Sequence, residues 1–62
     1  MENKKKFLRA EDVSEVLEVS VPMAYKIIRR LNNELNTMGY ITVSGRVSRS
    51  FFESKFYGTL SA

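Results

Sequence analysis

The stretch SVPMAYKIIRRLNNELNTMG, residues 20–39, decides the fold. Within it Ala24, Ile27, Ile28, Leu31, Leu35 and Met38 recur at helical spacing, and at ~100° per residue all six fall within about 50° of one line. One face of a long helix is therefore expected in a core. Pro22, Lys26, Arg29 and Asn33 cluster on the opposite side of the same wheel, with Tyr25 and Arg30 on its flanks. Ser20 is a good N-cap, Pro22 sits in the first turn where its missing N–H costs nothing, and Gly39 supplies the left-handed residue that commonly ends a helix.

On the N-terminal side, Ala10, Val13 and Leu17 form an apolar stripe with Val16 beside it, which predicts a short helix over 10–17. Glu11 and Asp12 in its first turn suit the positive end of the helix dipole, while Arg9 is a poor N-cap by side-chain chemistry. Glu18-Val19-Ser20 breaks the pattern before the long helix starts. On the C-terminal side, the β-branched run Tyr40-Ile41-Thr42-Val43, the tight turn Ser44-Gly45-Arg46 and Val47 read as a small hairpin. Ser48 or Ser50 then caps a last short helix holding Phe51, Phe52, Phe56 and Tyr57, with Glu53 completing a capping box and Gly58 as the stop. Phe7, Leu8, Phe51, Phe52 and Phe56 are expected to cover the core.

Sixty-two residues allow one domain, and the absence of both Cys and His removes disulfides, a thiolate nucleophile, an ordinary zinc site and an imidazole base. A carboxylate pair drawn from Glu11 and Glu15 would have no cleft around it, so no enzyme, catalytic residue, metal, cofactor or small-molecule substrate is expected. Lys4, Lys5 and Lys6 lack the apolar run that would make them a signal sequence, and no segment approaches the ~18–20 apolar residues that span a bilayer. A cytoplasmic chain is expected, with residues 1–6 a flexible basic arm, 7–58 the domain and 59–62 a tail.

The charges are sorted along the chain. Ten Lys and Arg against seven Asp and Glu give +3. Glu11, Asp12, Glu15 and Glu18 fall in one segment, whereas Val19 to Asn33 contains Lys26, Arg29 and Arg30 and no acid. From Leu35 to Phe52 the only charges are Arg46 and Arg49. Two acid-free basic stretches of this kind suit a polyanionic partner.

The segment Ala10 to Ser20 resembles the turn of helix-turn-helix proteins, with Ser14 at its small position and Glu18 where those turns carry Gly. Ala24-Tyr25-Lys26-Ile27-Ile28-Arg29 and Ser44-Gly45-Arg46-Val47-Ser48-Arg49 resemble the recognition helix and wing of a DNA-binding family of mobile elements. That family comprises phage and transposon excisionases and MerR-type regulators. Together the matches cover about residues 8–57. Ser48 stands where many relatives have Pro, and the hairpin is shorter than in many wings. The resemblance implies a winged helix-turn-helix, mainly α with a small β-hairpin: helix, turn, long recognition helix, two-stranded wing and short C-terminal helix.

It further implies a nucleoid-associated protein that binds double-stranded DNA and acts as an excisionase, alongside a recombinase or integrase or further copies of itself. The alternatives are a small transcriptional regulator of the element and a protein-interaction module on the same fold. The residues themselves support the DNA reading independently. An amphipathic helix presenting Lys26, Arg29 and Asn33 fits a major groove ~12 Å wide, where Arg can bond guanine and Asn adenine. Ser20, Pro22, Tyr25 and Arg30 join them along the helix, and Arg46 on the turn tip, with Arg49 near it, can meet phosphates or a minor groove. The bland reading of each charge is a solvated face, and Tyr25 has the alternative of packing under the hairpin.

Overall fold

Ser20 starts the long helix as its side chain implies: Oγ accepts the Met23 N–H at 3.3 Å, and the Ser20 carbonyl takes the first helical bond from Ala24 at 2.9 Å. The computed structural model describes residues 6–56. Its elements run β1 (Phe7–Arg9), α1 (Ala10–Leu17), α2 (Val21–Thr37), β2 (Arg46–Ser48) and α3 (Arg49–Lys55). The arm residues Lys4 and Lys5, the expected last-helix residues Tyr57 and Gly58, and the tail 59–62 lie outside the described residues.

Helix α2 ends where Gly39, at φ +92°, turns the chain. The Gly39 and Tyr40 N–H groups donate to Asn36 and Leu35 carbonyls, both at 3.0 Å, so two carbonyls left over at the helix end are satisfied. Between α1 and α2, Glu18 itself takes the left-handed conformation, at φ 57° and ψ 48°. Ser14 stitches this corner: its carbonyl accepts from Val19 N at 3.1 Å and its hydroxyl donates to the Val19 carbonyl at 2.6 Å. The weak cap at Arg9 is offset by Asp12, whose carboxylate accepts the Arg9 N–H at 2.9 Å.

The core is built from Leu8, Ala10, Val13, Ala24, Ile28, Leu31, Val47 and Phe52, with Leu35 also buried. Val16, Leu17, Ile27, Phe51 and Phe56 pack against it from partly exposed positions. Phe52, at 0% exposure, is the largest fully buried side chain and stacks at a tilt on Phe56, with ring centroids 4.8 Å apart. Two expected core residues face outward, Met38 and Phe7, at 55% and 52% exposure. Met38 lies past the last turn of α2. Phe7 is turned out by strand alternation, because Leu8 takes the inward position of a three-residue strand.

The chain is mainly α with a two-stranded antiparallel sheet, but the pairing differs from the hairpin expected of Tyr40–Val43 with Val47. Strand β2 pairs with β1 in the register Phe7↔Ser48, Leu8↔Val47 and Arg9↔Arg46. The tight turn itself forms: Arg46 N donates to Val43 O at 3.1 Å and Gly45 sits at φ +79°. Residues 40–43 form no strand, and several of their polar groups are engaged elsewhere. Tyr40 N closes the end of α2, Thr42 Oγ1 donates to Asn36 Oδ1 at 3.1 Å, and the Val43 carbonyl receives Asn32.

The last helix begins at Ser48, whose Oγ accepts the Phe51 N–H at 3.3 Å. Ser50 is therefore not the cap, and Glu53 pairs with Arg49 instead of closing a box. Phe56 falls just past the helix, at its C-cap.

Candidate nucleic-acid interface

Packing divides α2 into three strips. Ala24, Ile28, Leu31 and Leu35 face the core, while Pro22, Lys26, Arg29, Arg30 and Asn33 are exposed. Between core and open face runs a strip of Tyr25, Asn32 and Asn36, spaced i, i+7 and i+11, which meets the turn after α2. The Tyr25 ring lies under Gly45, with Cε1 3.7 Å from where a Cβ on that glycine would stand. Asn32 Nδ2 donates to both Arg46 O at 2.8 Å and Val43 O at 3.2 Å. The turn is thus fastened along the side of the helix, and a polar cleft of about 420 Å³ opens between them. Arg29, Asn33, Asn36, Thr42 and Ser44 line that cleft.

The expected site residues do not all fall together. Ser20 and Pro22 are exposed at the first turn of α2, and Lys26, Arg29, Arg30 and Asn33 continue along its open face. Tyr25 packs under the turn while remaining half exposed. Arg46 is exposed at the end of the turn. Arg49 stands apart: its Nε bonds Glu53 at 3.0 Å, and only 21% of its side chain is exposed.

The open face of α2 carries three cations and no acid. The one acid of α2, Glu34, lies one turn beyond Arg30 at the flank of that face and is paired with Lys55 at 2.8 Å. The acids of the N-terminal cluster belong to α1 and its C-terminal corner. Charge sorting in the sequence thus becomes sorting between elements, with Lys26, Arg29 and Arg30 on α2 and Arg46 on the turn, and the clustered acids on α1 and its corner.

Sequence reasoning missed Asn32, Asn36 and Arg9. Asn32 is 7% exposed and deep in a helix, where asparagine is a poor choice by propensity. That mismatch at the edge of the apolar stripe was the available signal. Arg9 is brought directly opposite Arg46 by strand register, so two guanidinium groups leave one face of the sheet. No local pattern in the sequence announces that neighbourhood.

On the far side of the turn, Phe7, Met38, Tyr40, Ile41 and Val43 line a second, apolar groove of about 470 Å³, with Ile41 97% exposed. Among the described residues no group of acids forms a metal site, and no helix is long and apolar enough to cross a membrane.

These features define a small, mainly helical module that presents a cationic helix face beside a fastened turn. The chain is 42% identical over 50 residues to the ICEBs1 excisionase of Bacillus subtilis (strain 168), a match spanning 81% of this chain and 78% of that protein. It belongs to the excisionase family. No family model matches the chain, and no solved structure matches it significantly.

Proposed function

We propose that this protein binds double-stranded DNA of a mobile element and acts as an architectural, non-enzymatic factor in its excision. The open face of α2 carries the reading: Lys26, Arg29, Arg30 and Asn33 are exposed together, free of acids, on a helix whose back is fixed in the core. Kinship with an excisionase supports the recombination role. In this reading the fold works as a winged helix-turn-helix. Residues 20–33 enter the major groove, Arg29 and Asn33 reach base edges, and Lys26 and Arg30 meet phosphates.

The turn ending in Arg46 lies on the adjacent backbone or minor groove, and Arg9 extends that cationic surface. Arg49, already paired with Glu53, is left out of the contact set. A module this small covers only ~600–1,000 Å² of DNA, so neighbouring copies or a recombinase complete the assembly.

The test is duplex binding as a function of salt. With ~4–6 phosphates neutralised, the log–log slope should lie near −4 to −5, and duplex should bind more tightly than single strand. A flat salt response, or no binding at low salt, refutes DNA recognition. For the role, circular-permutation gel shifts on the element's ends should show bent DNA, and excision should fall in cells lacking the protein. An unbent complex with normal excision would leave a transcriptional regulator as the better account.

A further inference from the structure

The Asn32 side chain has an arrangement that DNA contact alone does not call for. It is buried within α2, yet its one amide nitrogen donates to the carbonyls at both ends of the four-residue turn, Val43 and Arg46. Two carbonyl oxygens facing one end of the side chain fix which end is the amide nitrogen. Val43 O is then fully occupied, since it also accepts the turn's own bond from Arg46 N at 3.1 Å. The cost of the arrangement is visible on the other side of the group, where Asn32 Oδ1 is buried with no partner among the described residues. A leucine at this position would remove that orphan, but it would also take away the donor that the Arg46 carbonyl has here.

We propose that Asn32 is a positioning residue: it holds the turn at a fixed height beside α2, so that Arg46 reaches DNA at the same time as the cations of the helix. The inference rests on the DNA-binding reading above. Two further contacts mark the same line of attachment. Tyr25 supports Gly45 one end along, and Asn36 receives Thr42 at the other. Asn32 is the central attachment and the one that grips both ends of the turn. A cation on a loosely held turn loses much of its contribution to binding, because ordering the turn has to be done at the moment of contact.

The experiment is a double-mutant cycle on the full chain, read as duplex affinity corrected for the folded fraction. Arg46→Ala should weaken binding about 10-fold in the natural sequence, but less than about 2-fold once Asn32→Leu has released the turn. Lys26→Ala should cost the same factor in both backgrounds, since α2 stays in place. Equal Arg46→Ala losses with and without Asn32→Leu overturn the inference. A purely structural role for Asn32 predicts that outcome.

Should Asn32→Leu not fold, the milder Asn36→Ala, which removes an exposed attachment of the same seam, is expected to reduce the Arg46→Ala effect in the same direction. No coupling there overturns the inference equally. In the free natural protein, NMR scalar couplings across the bonds from the Asn32 amide to the Val43 and Arg46 carbonyls should be detectable, and their absence also overturns it. Failure of the underlying reading is seen separately, as failure of the unsubstituted chain to bind duplex at all.

Discussion

Replacing Glu18 by glycine should raise the melting temperature by about 4 °C. Glu18 holds the corner between α1 and α2 at φ 57° and ψ 48°, a conformation that costs an L-residue with a Cβ ~1 kcal/mol and glycine almost nothing. Glycine also gives the unfolded chain more freedom, which takes back ~0.4–1 kcal/mol. Removing a negative charge from the C-terminal end of α1 returns ~0.3 kcal/mol. The net gain is ~0.5 kcal/mol or slightly more. For 62 residues, an unfolding entropy of ~2.1 cal/mol/K per residue converts this to about 4 °C. Glu18→Ala separates the causes, because it relieves the charge but keeps the Cβ, and it should move the midpoint by only about 2 °C. Thermal unfolding followed by circular dichroism, with calorimetry for the enthalpy, measures both variants. If the glycine variant melts below the natural chain, or the alanine variant gains as much, then backbone strain at Glu18 is not what limits this corner.

Arg29→Ala and Lys26→Ala should each weaken duplex binding by ~1–3 kcal/mol while leaving the melting temperature within about 2 °C, because both side chains are exposed on the open face of α2. An Arg29→Ala variant that unfolds would mean the helix register is wrong. Phe52→Ala should remove ~3–5 kcal/mol, comparable to the whole stability of a domain this small, and a cooperative transition surviving at 37 °C would argue against Phe52 as the centre of the core. Gly45→Ala should cost ~1 kcal/mol from its φ of +79° alone, since the added methyl meets only Tyr25 at an ordinary 3.7 Å; a loss several times larger in chemical denaturation would point to a clash instead.

The helices and their ends were legible in the residues because the forces that set them act within a few positions. Ser20 caps its own helix, Gly39 ends it, and Ala24, Ile28, Leu31 and Leu35 repeat at the helical period whatever they later touch. The cationic face of α2 follows by the same logic, since side chains opposite an apolar stripe have nowhere to go but solvent. The corner at Glu18 was legible only through resemblance to a turn that elsewhere carries Gly.

What Val47 pairs with was decided by the folded chain. Tyr40–Val43 is nearby, β-branched and on the far side of a good turn, and local reasoning favours it. Leu8 is distant in sequence, yet joining it buries both Leu8 and Val47, while the end of α2 takes the Tyr40 N–H and Asn32 takes the Val43 carbonyl, two backbone groups that Tyr40–Val43 would have offered to a ladder. The burial of Asn32, the outward turn of Phe7 and the meeting of Arg9 with Arg46 all follow from that one choice. A periodic pattern records which way a side chain points along its own element. It carries no information about which of two distant segments wins a partner, because that balance sets burial and hydrogen bonds across the whole chain against the entropy of closing the loop between them.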